Sequence, residues 1–125
     1  MVAFTSLNPL TMPSSSSSLT KKEKQALKLF KKELQKAFPN QLHSLKLFGS
    51  KARGDAAKHS DIDVLVILRN SRWQNRYRIH RVSTNVLLQT GVLLSVKVFS
   101  PREVSLMKRR RSAFWQTIAS DLKEI

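Results

Sequence analysis

An α+β domain with a small mixed sheet, its elements running α-β-α-β-α-β-α, is what the sequence predicts. Three observations carry this. Apolar residues recur at three- and four-residue steps between Leu27 and Phe38, the spacing of one helix face. Short apolar runs follow at Leu45–Phe48, Ile62–Leu68 and Val92–Phe99, the last two rich in β-branched residues. The glycines, Gly49, Gly54 and Gly91, each stand where one of these segments ends. A chain of 125 residues with 41% hydrophobic content can bury one core, not two.

The first helix should start at Thr20, which has the spacing of a capping box with Glu23. Leu27, Phe30, Leu34, Ala37 and Phe38 form its apolar face, lysines fill the other, and Pro39 stops it. The strand Leu45–Phe48 ends at Gly49, in a turn that a side chain would hinder. Ser50 to Arg53 reads as a short helical turn broken by Gly54-Asp55. Ile62–Leu68 is almost wholly apolar after Asp63, so it should be a central strand covered on both faces. A helix is expected from about Ser71 to Thr90, with Trp73, Tyr77, Val82, Val86 and Leu87 as its apolar stripe and Gly91 beyond its end. After the strand Val92–Phe99, Ser100-Pro101-Arg102-Glu103 opens the last helix with an N-cap serine, proline at the first position and glutamate at the third. That helix is expected to break near Arg111-Ser112.

Residues 1–18 read as a disordered tail, because Asn8-Pro9, Pro13 and the Ser14–Ser18 run build no apolar face; the domain is 19–125. The chain has no cysteine, so a disulfide framework and a thiolate metal site are excluded and any metal must be held by oxygen or histidine. No apolar run approaches the roughly 20 residues that span a bilayer. The tail lacks the pattern of a signal peptide, and a cytoplasmic location is expected. A formal net charge of +15 should attract a polyanion: nucleotide, nucleic acid or an acidic protein partner.

The chemistry concentrates in Phe48-Gly49-Ser50-Lys51-Ala52-Arg53-Gly54 and Ser60-Asp61-Ile62-Asp63-Val64. Side chains two apart on a strand point to one side, so Asp61 and Asp63 can converge on one cation while Ile62 enters the core. Mg²⁺ needs only one or two protein carboxylates when phosphates and water complete its octahedron. Gly49 and Ser50 offer backbone N–H groups and a hydroxyl to the phosphates of a nucleoside triphosphate. Arg53 has two readings: it neutralises a phosphate, or it pairs with a neighbouring carboxylate. An Asp-x-Asp pair by itself is weak evidence; its combination with a Gly-Ser turn and Arg-Gly is specific.

These two stretches resemble the minimal nucleotidyltransferase family, within the DNA polymerase β-like nucleotidyltransferase superfamily. Its pattern is a hydrophobic strand, Gly-Ser-x-Ala-Arg-Gly, a spacer, then Ser-Asp-x-Asp-hydrophobic. Val98–Glu103 and Phe114–Ile118 resemble later parts of the family, and the likeness covers about 19–125. The resemblance implies a nucleotidyltransferase fold and metal-dependent transfer of AMP from ATP. It implies Gly49, Ser50 and Arg53 at the nucleotide, and Asp61 and Asp63 as catalytic ligands of Mg²⁺. It also implies a protein hydroxyl as acceptor and a role as the antitoxin of a helical HEPN toxin. One departure stands out. Counting back from Ser100-Pro101, Ser95 occupies the place of the superfamily's third carboxylate, with Lys97 on the same face. That favours, as an alternative, a catalytically weak antitoxin that neutralises its partner by binding.

Other candidates have plainer readings. Lys108-Arg109-Arg110-Arg111 could dock nucleic acid or an acidic protein face, but such runs usually coat a helix with solvent. Trp73 and Tyr77 lie among Arg69, Arg72, Arg76, Arg78 and Arg81, as in stacking surfaces for single strands, yet their spacing is read here as core. Lys97 reads as a solvated strand lysine. His43, His59 and His80 have no partner at a ligand spacing, although His59 borders the Asp61 segment. A nucleic-acid-binding module is thus the lower-ranked alternative.

Overall fold

The structure is a computed structural model that describes residues 19–54 and 61–125. The expected tail, and the spacer with His59 and Ser60, lie outside the described residues. The elements are α1 (Lys21–Ala37), β1 (Leu42–Phe48), α2 (Gly49–Arg53), β2 (Ile62–Leu68), α3 (Trp73–Thr90), β3 (Leu94–Phe99), α4 (Pro101–Arg109), α5 (Ala113–Ile118) and β4 (Lys123–Glu124). Both expected capping boxes form. The Thr20 amide donates to Glu23 Oε1 at 2.9 Å and the Glu23 amide to Thr20 Oγ1 at 3.1 Å. Ser100 and Glu103 do the same at 2.8 and 3.1 Å.

The strands form one mixed sheet in the order β3-β2-β1-β4. Strand β1 runs antiparallel to β2 and β4, whereas β2 and β3 are parallel and joined by α3. Strand β1 begins earlier than expected, at Leu42, because a register irregularity between Leu42 and Ser44 carries polar residues into the pairing. Strand β4 escapes the sequence reading altogether, since a two-residue strand has no measurable period. It is pinned by pairing with Lys46 and Leu47, by a 2.7 Å contact from Lys46 Nζ to Glu124 Oε1, and by Lys31 Nζ donating to the Ile125 carbonyl at 2.8 Å.

Two layers of side chains cover β2. On one face Ile62, Val64, Val66 and Leu68 meet Leu27, Phe30 and Leu34 of α1 and Ile79 and Val86 of α3. On the other, Leu65 and Ile67 join Phe48, Val104 and Ile118, roofed by Phe99, Phe114 and Trp115. Phe114 lies edge-on to Phe48, with ring centroids 5.9 Å apart. The last helical segment breaks where expected: Arg110 caps α4, and Ser112 opens α5 by accepting from the Trp115 amide.

Helix α3 corrects one expectation. Its buried residues are Ile79 and Val86, with Val82 partly buried beside them. Trp73 and Tyr77 fall on the opposite side and are 73% and 59% exposed. Successive helix residues turn by about 100°, so a stripe through Ile79, Val82 and Val86 leaves Trp73 and Tyr77 facing away from it. Among the described residues no helix is long and apolar enough to cross a membrane.

Leu65 is fully buried and Leu88 is 77% exposed. Leu65→Ala is therefore expected to cost about 2–5 kcal/mol, and Leu88→Ala no more than about 0.5 kcal/mol. Urea unfolding followed by circular dichroism measures both.

Candidate active site

Strand β1 and the start of β2 meet at one end of the sheet. Phe48 pairs with Asp63 across the antiparallel ladder, and Gly49 then turns the chain into α2. Gly49 has φ +76, and a β-carbon placed on it would come within 2.5 Å of Asp63 Oδ2. The glycine thus answers two demands, a left-handed backbone and the close approach of a carboxylate. Phe48, the N-cap residue of α2, offers no side-chain hydrogen bond to the first amides of the helix. Ser50 sits in this first turn, half-buried, and Gly54 closes the helix in the left-handed region.

Asp61 is exposed just before β2, and Asp63 is half-buried two residues on. Burial pushes the Asp63 carboxyl above its ordinary range, and the neighbouring Asp61 pushes it further, against the opposing pull of Lys97 and Arg53. Two carboxylates side by side at a partly desolvated strand end form a donor set that a hard divalent cation would relieve. The Asp63 carboxylate occupies the room that a side chain on Gly49 would need. The residues present therefore fit a Mg²⁺ site held by two carboxylates. Among the described residues no group of three or more His, Asp or Glu could hold a metal.

Ser95 of β3 lies directly opposite Asp63 in the parallel ladder, and Lys97 opposite Leu65. The third strand thus brings a hydroxyl, not a carboxylate, alongside the pair. Lys97 is exposed, as a solvated strand lysine should be. Of the two readings of Arg53, the carboxylate pairing is the one observed: its Nη1 donates to Asp121 Oδ2 at 2.9 Å. The sequence gives no hint of Lys51. It fills the variable position of the Gly-Ser-x-Ala-Arg-Gly stretch, is 2% exposed, and reaches Glu23 Oε2 at 3.2 Å. Glu23 thereby serves the α1 cap and the floor of α2 at once. A contact across 28 residues leaves no periodic trace that could reveal it.

A nucleotidyltransferase domain model matches residues 27–119, which contain Gly49, Ser50, Arg53, Asp61, Asp63 and Ser95. This chain belongs to the nucleotidyltransferase domain family. Two proteins of Methanocaldococcus jannaschii, both provisionally named protein adenylyltransferases, are similar to it. One is 36% identical over 81 residues, 62% of this chain and 54% of that protein. The other is 30% identical over 74 residues, 58% of this chain and 75% of that protein. The chain thus spans about half the length of the first of these curated relatives. A solved structure from Sulfolobus solfataricus, provisionally described as a nucleotidyltransferase, is 21% identical, with a TM-score of 0.44, covering 74% of this chain and 81% of that one. The family match supports nucleotidyltransferase as the enzyme class.

Two outcomes follow for the site's electrostatics. A carboxyl whose folded pKa is raised gives stability that is complete below its unfolded value and is lost as pH rises through the folded value. Asp63→Asn should therefore stabilise the metal-free protein near neutral pH, with the gain vanishing as pH falls towards the ordinary value of 3.8. Thermal melts across pH measure this. Glu23→Gln leaves Lys51 buried without its counter-charge and is expected to cost about 3 kcal/mol in urea unfolding.

Proposed function

We propose that this nucleotidyltransferase transfers AMP from ATP to a hydroxyl of a partner protein. The carrying observation is the Asp63 carboxylate packed against the backbone of Gly49 with Asp61 beside it. Asp61 and Asp63 would hold Mg²⁺, which, when bound, neutralises phosphate charge and positions the α-phosphate for attack. Ser50 Oγ and the amides after Gly49 donate to the terminal phosphate oxygens. Ile62 and Val64 anchor the opposite face of β2 in the core, so both carboxylates are presented from a rigid element. The acceptor oxygen bonds to the α-phosphorus, the bond to the bridging oxygen breaks, pyrophosphate leaves, and the hydroxyl proton passes to solvent. The relatives' names support AMP as the group transferred.

Ser95 favours a second reading. With a hydroxyl opposite Asp63, β3 supplies no carboxylate to assist deprotonation of the acceptor. A slow or inactive enzyme would then act as an antitoxin, neutralising a HEPN-type toxin by binding alone.

The test is incubation with α-labelled ATP, Mg²⁺ and the protein encoded beside it. Label should pass to that protein and fall by about 100-fold or more in Asp61→Ala and Asp63→Ala. Ser95→Asp should raise the transfer rate. Absence of label, with toxin neutralisation intact in both aspartate variants, decides for the second reading.

A further inference from the structure

The opposite end of the sheet from Asp61 and Asp63 carries a second feature. Beyond Leu68, between the start of α3 and the start of α4, lies an open cleft of about 970 Å³ whose lining includes His43, Arg69, Arg72, Arg76, Arg102 and Glu103. Glu103 is already engaged. It accepts from Arg76 Nη2 at 2.8 Å through Oε1 and 3.1 Å through Oε2, and from Ser71 Oγ at 3.0 Å. Arg76 in turn donates to the carbonyls of Val98 and Ser71 at 2.5 and 2.6 Å. This pair is scaffold, joining α3 to β3 and α4. Arg69, Arg72 and Arg102 are exposed around it, and among the described residues none has a carboxylate partner. The chain has no Asp or Glu between Asp63 and Glu103, so nothing along this stretch offsets them.

A different observation lies next to the cleft. Trp73 and Tyr77 stand one helical turn apart on the solvent face of α3, 73% and 59% exposed. Arg81 and His80 continue the same stripe and, with Tyr77, line a shallow second cleft. Large aromatic rings left in water need a reason. A charged surface alone would not need them, and two rings set among arginines do not make the large contiguous apolar patch that marks a protein-docking face. Flat rings beside uncompensated guanidinium groups match a ligand that alternates planar bases with phosphates.

We propose that this surface binds single-stranded nucleic acid. Bases stack on Trp73 and Tyr77, while phosphates follow Arg69, Arg72 and Arg102 through the cleft. The site lies at the other end of the sheet from the two aspartates and does not depend on the transfer reaction. It therefore stands or falls separately from the proposed function.

The test is fluorescence anisotropy with a labelled uridine oligomer of about 12 nucleotides, read at about 50 and 200 mM salt. Binding is expected at the lower salt and should weaken steeply at the higher. Trp73→Ala and Tyr77→Ala should each weaken it roughly tenfold. Arg69→Ala, Arg72→Ala and Arg102→Ala together should reduce the salt slope by roughly 2. All five side chains are exposed, so the variants should keep the wild-type circular dichroism. Asp61→Ala and Asp63→Ala should bind as wild type. The deoxy oligomer of matching sequence assigns RNA or DNA, and binding of either supports the site. No binding at the lower salt overturns it, as does equal binding of a duplex. Loss confined to Arg109→Ala and Arg110→Ala also overturns it. Polyglutamate competing as well as the oligomer at equal charge would assign the surface to an acidic protein instead.

Discussion

Strand β2 must shed water on both faces, and the rest of the domain is arranged around that requirement. Val64, Leu65, Val66 and Leu68 are fully buried. A single helical layer could cover only one side. Helices α1 and α3 cover one face, and the α4–α5 pair, with Phe99 from β3, covers the other. Neighbours β1 and β3 satisfy the strand's backbone on both edges. An element held this way has little freedom, and rigidity is what a carboxylate pair needs if two oxygens are to converge on one ion.

The site exists because this strand stops being apolar at its first turn. Asp63 is still inside the ladder, opposite Phe48 on one side and Ser95 on the other, so it is half-buried and its charge is disfavoured. Asp61 lies just outside and is exposed. Strain and electrostatics thus meet at one place. Gly49 is forced into a left-handed turn by the end of β1, and the room it leaves is taken by Asp63. Below them, the Lys51–Glu23 pair ties α2 to the cap of α1. The two ends of the sheet differ in character: the Asp61–Asp63 pair lies at one, and at the other stand exposed aromatic rings and arginines that have no carboxylate partner among the described residues. The net charge of +15 is therefore not spread evenly over a neutral surface.

Much of this is legible in the residues. Both capping boxes, the Gly49 turn, the double covering of β2 and the break before Ser112 are local signals, each complete within a turn or a strand. Even Ser95 can be located, because the period of two counts back reliably from the Ser100-Pro101 helix start. Trp73 and Tyr77 mislead for an equally physical reason. Aromatic residues four apart look like a core stripe, and only the competing stripe of Ile79, Val82 and Val86, pressed against the core, shows which side faces inward.

By itself the sequence determined the order of elements as far as α5, the helix ends, and the positions of Gly49, Ser50, Asp61 and Asp63 at the turn and strand start, because each depends on neighbours within a few residues. The tertiary structure alone decided four matters: the burial of Lys51 against Glu23, the engagement of Arg53 by Asp121, the pairing of β4 with β1, and the outward face of α3. All four join or orient segments distant along the chain. Their outcome depends on which surfaces the core leaves uncovered, and no local period encodes that.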